Sequence, residues 1–88
     1  MKVSNVKSER TGRAVPNQFI IDDGQGNLYF QSYDSIIAVK RCGKIVLDVT
    51  CWDYSVTTGR YRNMFLHESK GKTEAKIKSG EYKLEGLN

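Results

Sequence analysis

Trp52-Asp53-Tyr54-Ser55-Val56-Thr57-Thr58-Gly59-Arg60-Tyr61-Arg62-Asn63 follows a hydrophobic, strand-like segment and packs aromatic, hydroxyl and arginine side chains into one block. Its composition is that of a contact surface, of a strand-to-helix corner, or of both. Ser55, Thr57 and Thr58 are good N-cap residues, because their oxygens accept bonds from the free N–H groups of a first helical turn. Tyr61, Met64, Phe65 and Glu68 then recur at helical spacing. The spacing predicts a helix from about Thr58 to His67, with Tyr61, Met64 and Phe65 turned to a sheet. Arg60, Asn63 and His67 would share another face, and Arg62 and Leu66 a further edge. Gly59 weakens the first turn by roughly 1 kcal/mol relative to Ala, which implies a packing or contact reason for it.

Upstream of the corner the pattern is β-rich. Asn17–Asp22 and Leu28–Tyr33 flank Asp23-Gly24-Gln25-Gly26-Asn27, a strong turn signal, and read as a hairpin. Ile36–Lys40 and Lys44–Asp48 flank Cys42-Gly43, which fits a two-residue hairpin loop. The polar, basic residues 1–13 hold Val3 and Val6 and suit a first edge strand. Downstream, Ser69 caps a second short helix over Lys70–Ser79, with Thr73 and Ile77 inward and Gly80 as its stop. Glu81–Leu84 alternates and reads as a final strand. The expectation is one small α+β domain over residues 1–88. It has an antiparallel β-sheet of about four to five strands, two short helices on one face and a C-terminal strand.

A chain of 88 residues has a modest core and little room for a deep pocket. No run approaches the roughly 20 apolar residues of a membrane-spanning helix. Met1–Val6 lacks the apolar core of a signal peptide, so a cytosolic location is expected. The net charge is +4. Lys2, Lys7, Arg10 and Arg13 oppose only Glu9 at the start, and residues 60–88 are also basic, while the middle is slightly acidic. Basic ends suit an anionic partner, nucleic acid or an acidic protein face. Cys42, Cys51 and His67 lack metal-ligand spacing, so no metal, no cofactor and free thiols are expected.

No catalytic constellation is present. His67 and Glu68 are adjacent, and adjacent helical residues do not face each other. Asp48 and Asp53 have no partner pattern. The chain therefore reads as a binding protein rather than an enzyme. Its candidate contact residues are Arg60, Arg62, Asn63, His67 and Tyr54, with protein or nucleic acid as partner. Trp52, Tyr61, Met64 and Phe65 are assigned to the core by their burial tendency. Tyr29, Gln31 and Tyr33 are a lesser candidate for a nucleic-acid-binding sheet face and are read as cross-strand packing.

Three segments together resemble a known family. They are Asn17-Gln18-Phe19-Ile20-Ile21, the Phe30-Gln31-Ser32-Tyr33 run with Ser35, Ile37 and Ala38, and Trp52-Asp53-Tyr54-Ser55 with Thr57-Thr58, Tyr61-Arg62-Asn63 and Phe65-Leu66. Lys76–Tyr82 extends the likeness. The pattern is similar to small uncharacterised proteins carried by bacteriophages and mobile elements, chiefly of Gram-positive bacteria. The resemblance implies an accessory protein in the host cytoplasm, and no activity comes with it. At the level of class it implies binding to a host macromolecule, with inhibition of a defence complex in the manner of an anti-CRISPR protein as one form. A basic nucleic-acid-binding module and a structural or oligomeric phage component are the alternatives.

Overall fold

The computed structural model describes residues 1–88. Five strands form an antiparallel meander in chain order: β1 (Lys2–Lys7), β2 (Ala14–Asp22), β3 (Asn27–Ser32), β4 (Ser35–Arg41) and β5 (Lys44–Asp48). Helices α1 (Val56–Leu66) and α2 (Lys70–Ser79) follow, and then a short strand β6 (Lys83–Glu85). The α+β class and the hairpin-rich first half agree with the sequence reading. The sheet has six strands rather than four or five, and β6 lies parallel to β5 at the edge. A parallel neighbour needs a long crossover, and the two helices supply it.

The turns follow from local chemistry. Asp23 accepts N–H bonds from Gln25 and Asn27 and a side-chain bond from Asn27, which closes the β2–β3 hairpin. Between β4 and β5, Cys42 and Gly43 take φ of 52° and 75°, the two positive values that a tight mirror-image turn requires. Gly43 meets that demand without strain; Cys42 adopts it as a side-chain-bearing residue.

Alternation sorts the sheet into two faces. Ile20, Leu28, Phe30, Ala38, Ile45 and Leu47 face the helices and pack with Phe65, Leu66 and Tyr82. Bulges adjust this face. One between Phe30 and Gln31 sets an extra β4 residue against β3, so that Ile37 and Ala38 both enter the core. Another, between Asn5 and Lys7, accompanies the entry of Val6 into the same core. The opposite face carries Val3, Ile21, Tyr29, Val39 and Val46, none of which belongs to this core.

The helix–sheet interface is not uniformly apolar. Gln18 pairs with Ser32 across β2 and β3, and the Ser32 hydroxyl bonds the Thr58 hydroxyl at 2.9 Å. Thr58 and Arg62 lie one helical turn apart on α1, so a buried polar seam runs under the first half of that helix. Gln18 is 1% exposed, and neither atom of its amide has a partner. An unpartnered buried amide is costly, and an apolar replacement of similar shape removes that cost. Gln18→Met is therefore expected to stabilise the chain by about 1 kcal/mol, read as a higher midpoint in urea unfolding.

Candidate binding groove at the start of the first helix

Of the three candidate caps Ser55 is the one used, so α1 begins two residues before the expected Thr58. Ser55 sits in extended backbone and its hydroxyl accepts the Thr58 N–H. The helix starts at Val56 and ends at Leu66, after which His67 turns left-handed with φ 57° and donates its N–H to Asn63 and Met64. Its buried residues are Thr58, Gly59, Arg62, Phe65 and Leu66. Of the three residues expected on the sheet side, Phe65 is buried, while Tyr61 and Met64 are half-buried at its edges.

Arg62 corrects the sequence reading most sharply. It was expected at the surface and is 1% exposed, the largest fully buried side chain in the protein. Its Nη1 donates to the Trp52 carbonyl at 2.7 Å and to Asp53 Oδ1 at 3.1 Å, and its Nη2 donates to Asn63 Oδ1 at 3.0 Å. The guanidinium also sits 5.2 Å from the centre of the Trp52 ring. Lys70 at the start of α2 approaches the other Asp53 oxygen at 2.8 Å. Burial alone would raise the Asp53 pKa, but Lys70 and Arg62 outweigh it and hold the carboxyl below its usual value. Arg62 is thus a clamp that ties the corner before α1 to the helix, and it offers no free surface to a partner.

Above this clamp lies an open groove of about 690 Å³, lined by Asp53, Tyr54, Ser55, Val56, Gly59, Arg60, Arg62, Asn63 and Lys70. It brings together Tyr54, Arg60 and Asn63 from the candidate contact set. Tyr54 and Arg60 are exposed and Asn63 is half-buried. Arg60 forms no ion pair, whereas Lys70 is shared between Asp53 and Glu74. Gly59 forms part of the floor. A Cβ built there would lie 3.7 Å from Arg62 Nη2 and 3.8 Å from Asp53 Oδ1, which is ordinary contact. The fold alone does not require glycine at this position. Gly59→Ala is expected to raise stability by up to about 1 kcal/mol through helix propensity, measured by thermal melting, while narrowing the groove.

His67 is not part of this groove. It is exposed and lines a separate depression of about 300 Å³ at the other end of α1, with Val6, Leu28, Lys40, Met64 and Phe65 among its neighbours. There Lys40 lies 4.5 Å over the Phe65 ring, and burial lowers its pKa. Between α1 and α2, Glu68 accepts bonds from Thr73 Oγ1 at 2.7 Å and from Lys76 Nζ and Tyr82 OH, each at 2.8 Å. Lys76 is drawn into this network, and its pKa is raised by Glu68 and Tyr82. Sequence spacing did not expose that cluster, because Glu68 meets Thr73 and Lys76 across the α1–α2 corner and Tyr82 joins them only through the α2–β6 turn.

No group of three or more His, Cys, Asp or Glu side chains is placed to hold a metal ion, and no helix is long and apolar enough to cross a membrane. Cys42 is exposed and Cys51 half-buried, and both are free thiols. Residues 1–82 match the model of a family described as a family of unknown function, DUF8033. The chain belongs to this family. The match runs from β1 through both helices to Tyr82, so the groove and the buried clamp beneath it fall inside the family's extent. No curated protein and no solved structure matches the chain.

Proposed function

We propose that this chain is a non-catalytic accessory protein of a phage or mobile element that binds a host protein or nucleoprotein complex through the groove at the start of α1. The observation that carries this reading is the convergence of Tyr54, Arg60 and Asn63 on one open groove of about 690 Å³. Exposed Tyr and Arg supply wide contact area and planar donors at low entropy cost. Arg60 has no carboxylate of its own, and the clamp below keeps the helix that bears it in a fixed pose. An acidic patch on a protein partner is the complement of this rim. Inhibition of a host defence complex is the form of the function that the resemblance to phage accessory proteins favours.

The test is affinity capture from a bacterial host lysate, with and without nuclease. The expected result is a protein retained after nuclease treatment, and lost when Arg60→Glu or Tyr54→Ala is used as bait. Capture that is insensitive to both substitutions counts against the groove. Capture that vanishes with nuclease counts against a protein partner.

A further inference from the structure

The sheet face that carries no helix displays one residue from every strand in a single row. Val3, Ile21, Tyr29, Val39, Val46 and Lys83 are successive cross-strand partners from β1 to β6. Val39 and Val46 at its centre are buried, Ile21 and Tyr29 are half-buried, and Val3 is 59% exposed. Neither helix packs its apolar side chains on this row. Phe19 faces Gln31 while Ile21 faces Tyr29, so Phe19 and Tyr29 are diagonal neighbours on adjacent strands. Such diagonals stand about 7–8 Å apart, within reach of aromatic side chains. The register therefore places Phe19 and Tyr29 at diagonal positions on adjacent strands beside an apolar row.

Its charges decide what it suits. Arg41 and Lys44 are cross-strand partners that flank the row on one side, and Lys83 ends it. None of the three makes an ion pair, whereas every ion pair in the molecule involves Asp53 or a residue from Arg62 onward. On the same face, the Asp48 carboxylate is committed to the backbone N–H groups of Thr50, Cys51 and Leu87, the Asp23 carboxylate is committed to Gln25 and Asn27 next to Arg41, and Glu85 lies opposite Asp48. Two aromatic rings with three unpaired cations beside them complement a chain of planar bases joined by phosphates.

We infer that the helix-free face binds single-stranded nucleic acid, with bases stacking on Tyr29 and Phe19 and phosphates meeting Arg41, Lys44 and Lys83. The site is independent of the α1 groove, and the two together fit a nucleoprotein partner.

Fluorescence polarisation of a labelled oligothymidylate, titrated with the full chain at about 50 mM salt, tests this. Three phosphate contacts give an expected log–log salt slope of about −2, at roughly −0.7 for each contact on a single strand. Tyr29→Ala is expected to weaken binding by about 5- to 100-fold, the range of one lost stacking contact, and Tyr29→Phe to retain it. Joint Arg41→Gln and Lys44→Gln should reduce the slope to about −0.7. Arg60→Glu should leave affinity within about twofold, which separates this face from the groove. Absence of binding at about 50 mM salt overturns the inference. So does a slope unmoved by the double glutamine variant. A concentration-dependent dimer in light scattering that Tyr29→Ala dissolves also overturns it, because a second copy then covers the face.

Discussion

Arg62→Ala is expected to destabilise the chain by about 3 kcal/mol, whereas Arg60→Ala, two residues away, should stay within about 0.5 kcal/mol of the parent. The two arginines are alike in sequence context and opposite in environment. Removing Arg62 empties the largest fully buried side-chain site and leaves the Trp52 carbonyl and the Asn63 amide oxygen without their donor. It also releases Asp53 from one of its two cations. Arg62→Met should recover part of the loss by refilling the volume. Urea unfolding monitored by the fluorescence of Trp52 measures all three variants. Equal, small effects at Arg60 and Arg62 would mean that the guanidinium is not held as described.

Glu68→Ala should cost about 2 kcal/mol. The Glu68 side chain is 5% exposed and accepts three side-chain bonds. Thr73 keeps a second acceptor in the Ser69 carbonyl, and Lys76 reaches Glu81 at 3.8 Å. The Tyr82 hydroxyl has only a long contact with Lys76 to fall back on, so much of the loss is expected to arise there. The same cluster makes stability acid-sensitive. Burial would raise the pKa values of Glu68, Asp48 and Asp53, yet their hydrogen bonds and neighbouring cations or N–H groups hold all three below their ordinary positions. A depressed folded pKa gives stability that is complete above the unfolded value, near about 4, and is lost as pH falls through the lower folded value. Thermal midpoints should therefore hold from neutral pH to about pH 5 and fall steeply below about pH 4. In Glu68→Gln the fall should be shallower. A midpoint that rises on acidification would contradict the sign of all three shifts.

Much of this architecture was legible because local chemistry and tertiary packing agree. Asp23–Asn27 and Cys42-Gly43 carry turn signals that the hairpins use, Ser69 and Gly80 cap α2 where the sequence placed them, and Ser55, one of three candidate caps, starts α1. The final strand was legible in the alternation of Glu81–Leu84, but its parallel pairing with β5 was not, because three paired residues carry too little periodicity to show which edge they join. The candidate site was legible in part. Tyr54, Arg60 and Asn63 do meet on one groove. His67 lies outside it, since the helix ends at Leu66 and the left-handed cap turns the chain away. Arg62 was misplaced because an arginine is normally a surface residue, and only nearby partners reverse that preference. Its signal was present in the spacing. Thr58, Arg62, Phe65 and Leu66 fall at the intervals of a single buried stripe, and Asp53 precedes them within reach of the guanidinium.

The contrast between the two arginines also fixes how binding should be probed. A charge reversal at Arg62 reports on folding, because it breaks the clamp beneath the helix. A reversal at Arg60 reports on the rim, because its side chain is exposed and forms no ion pair. Gly59→Ala adds a second handle, since it is expected to improve the fold while narrowing the groove floor.

The most direct measurement is the dissociation constant of the captured host protein for Arg60→Glu, taken beside the thermal midpoint of the same variant. The groove account predicts binding weakened by at least about tenfold, equivalent to about 1.4 kcal/mol, with the midpoint unchanged within about 3 °C. Undiminished affinity in a folded Arg60→Glu protein would contradict it.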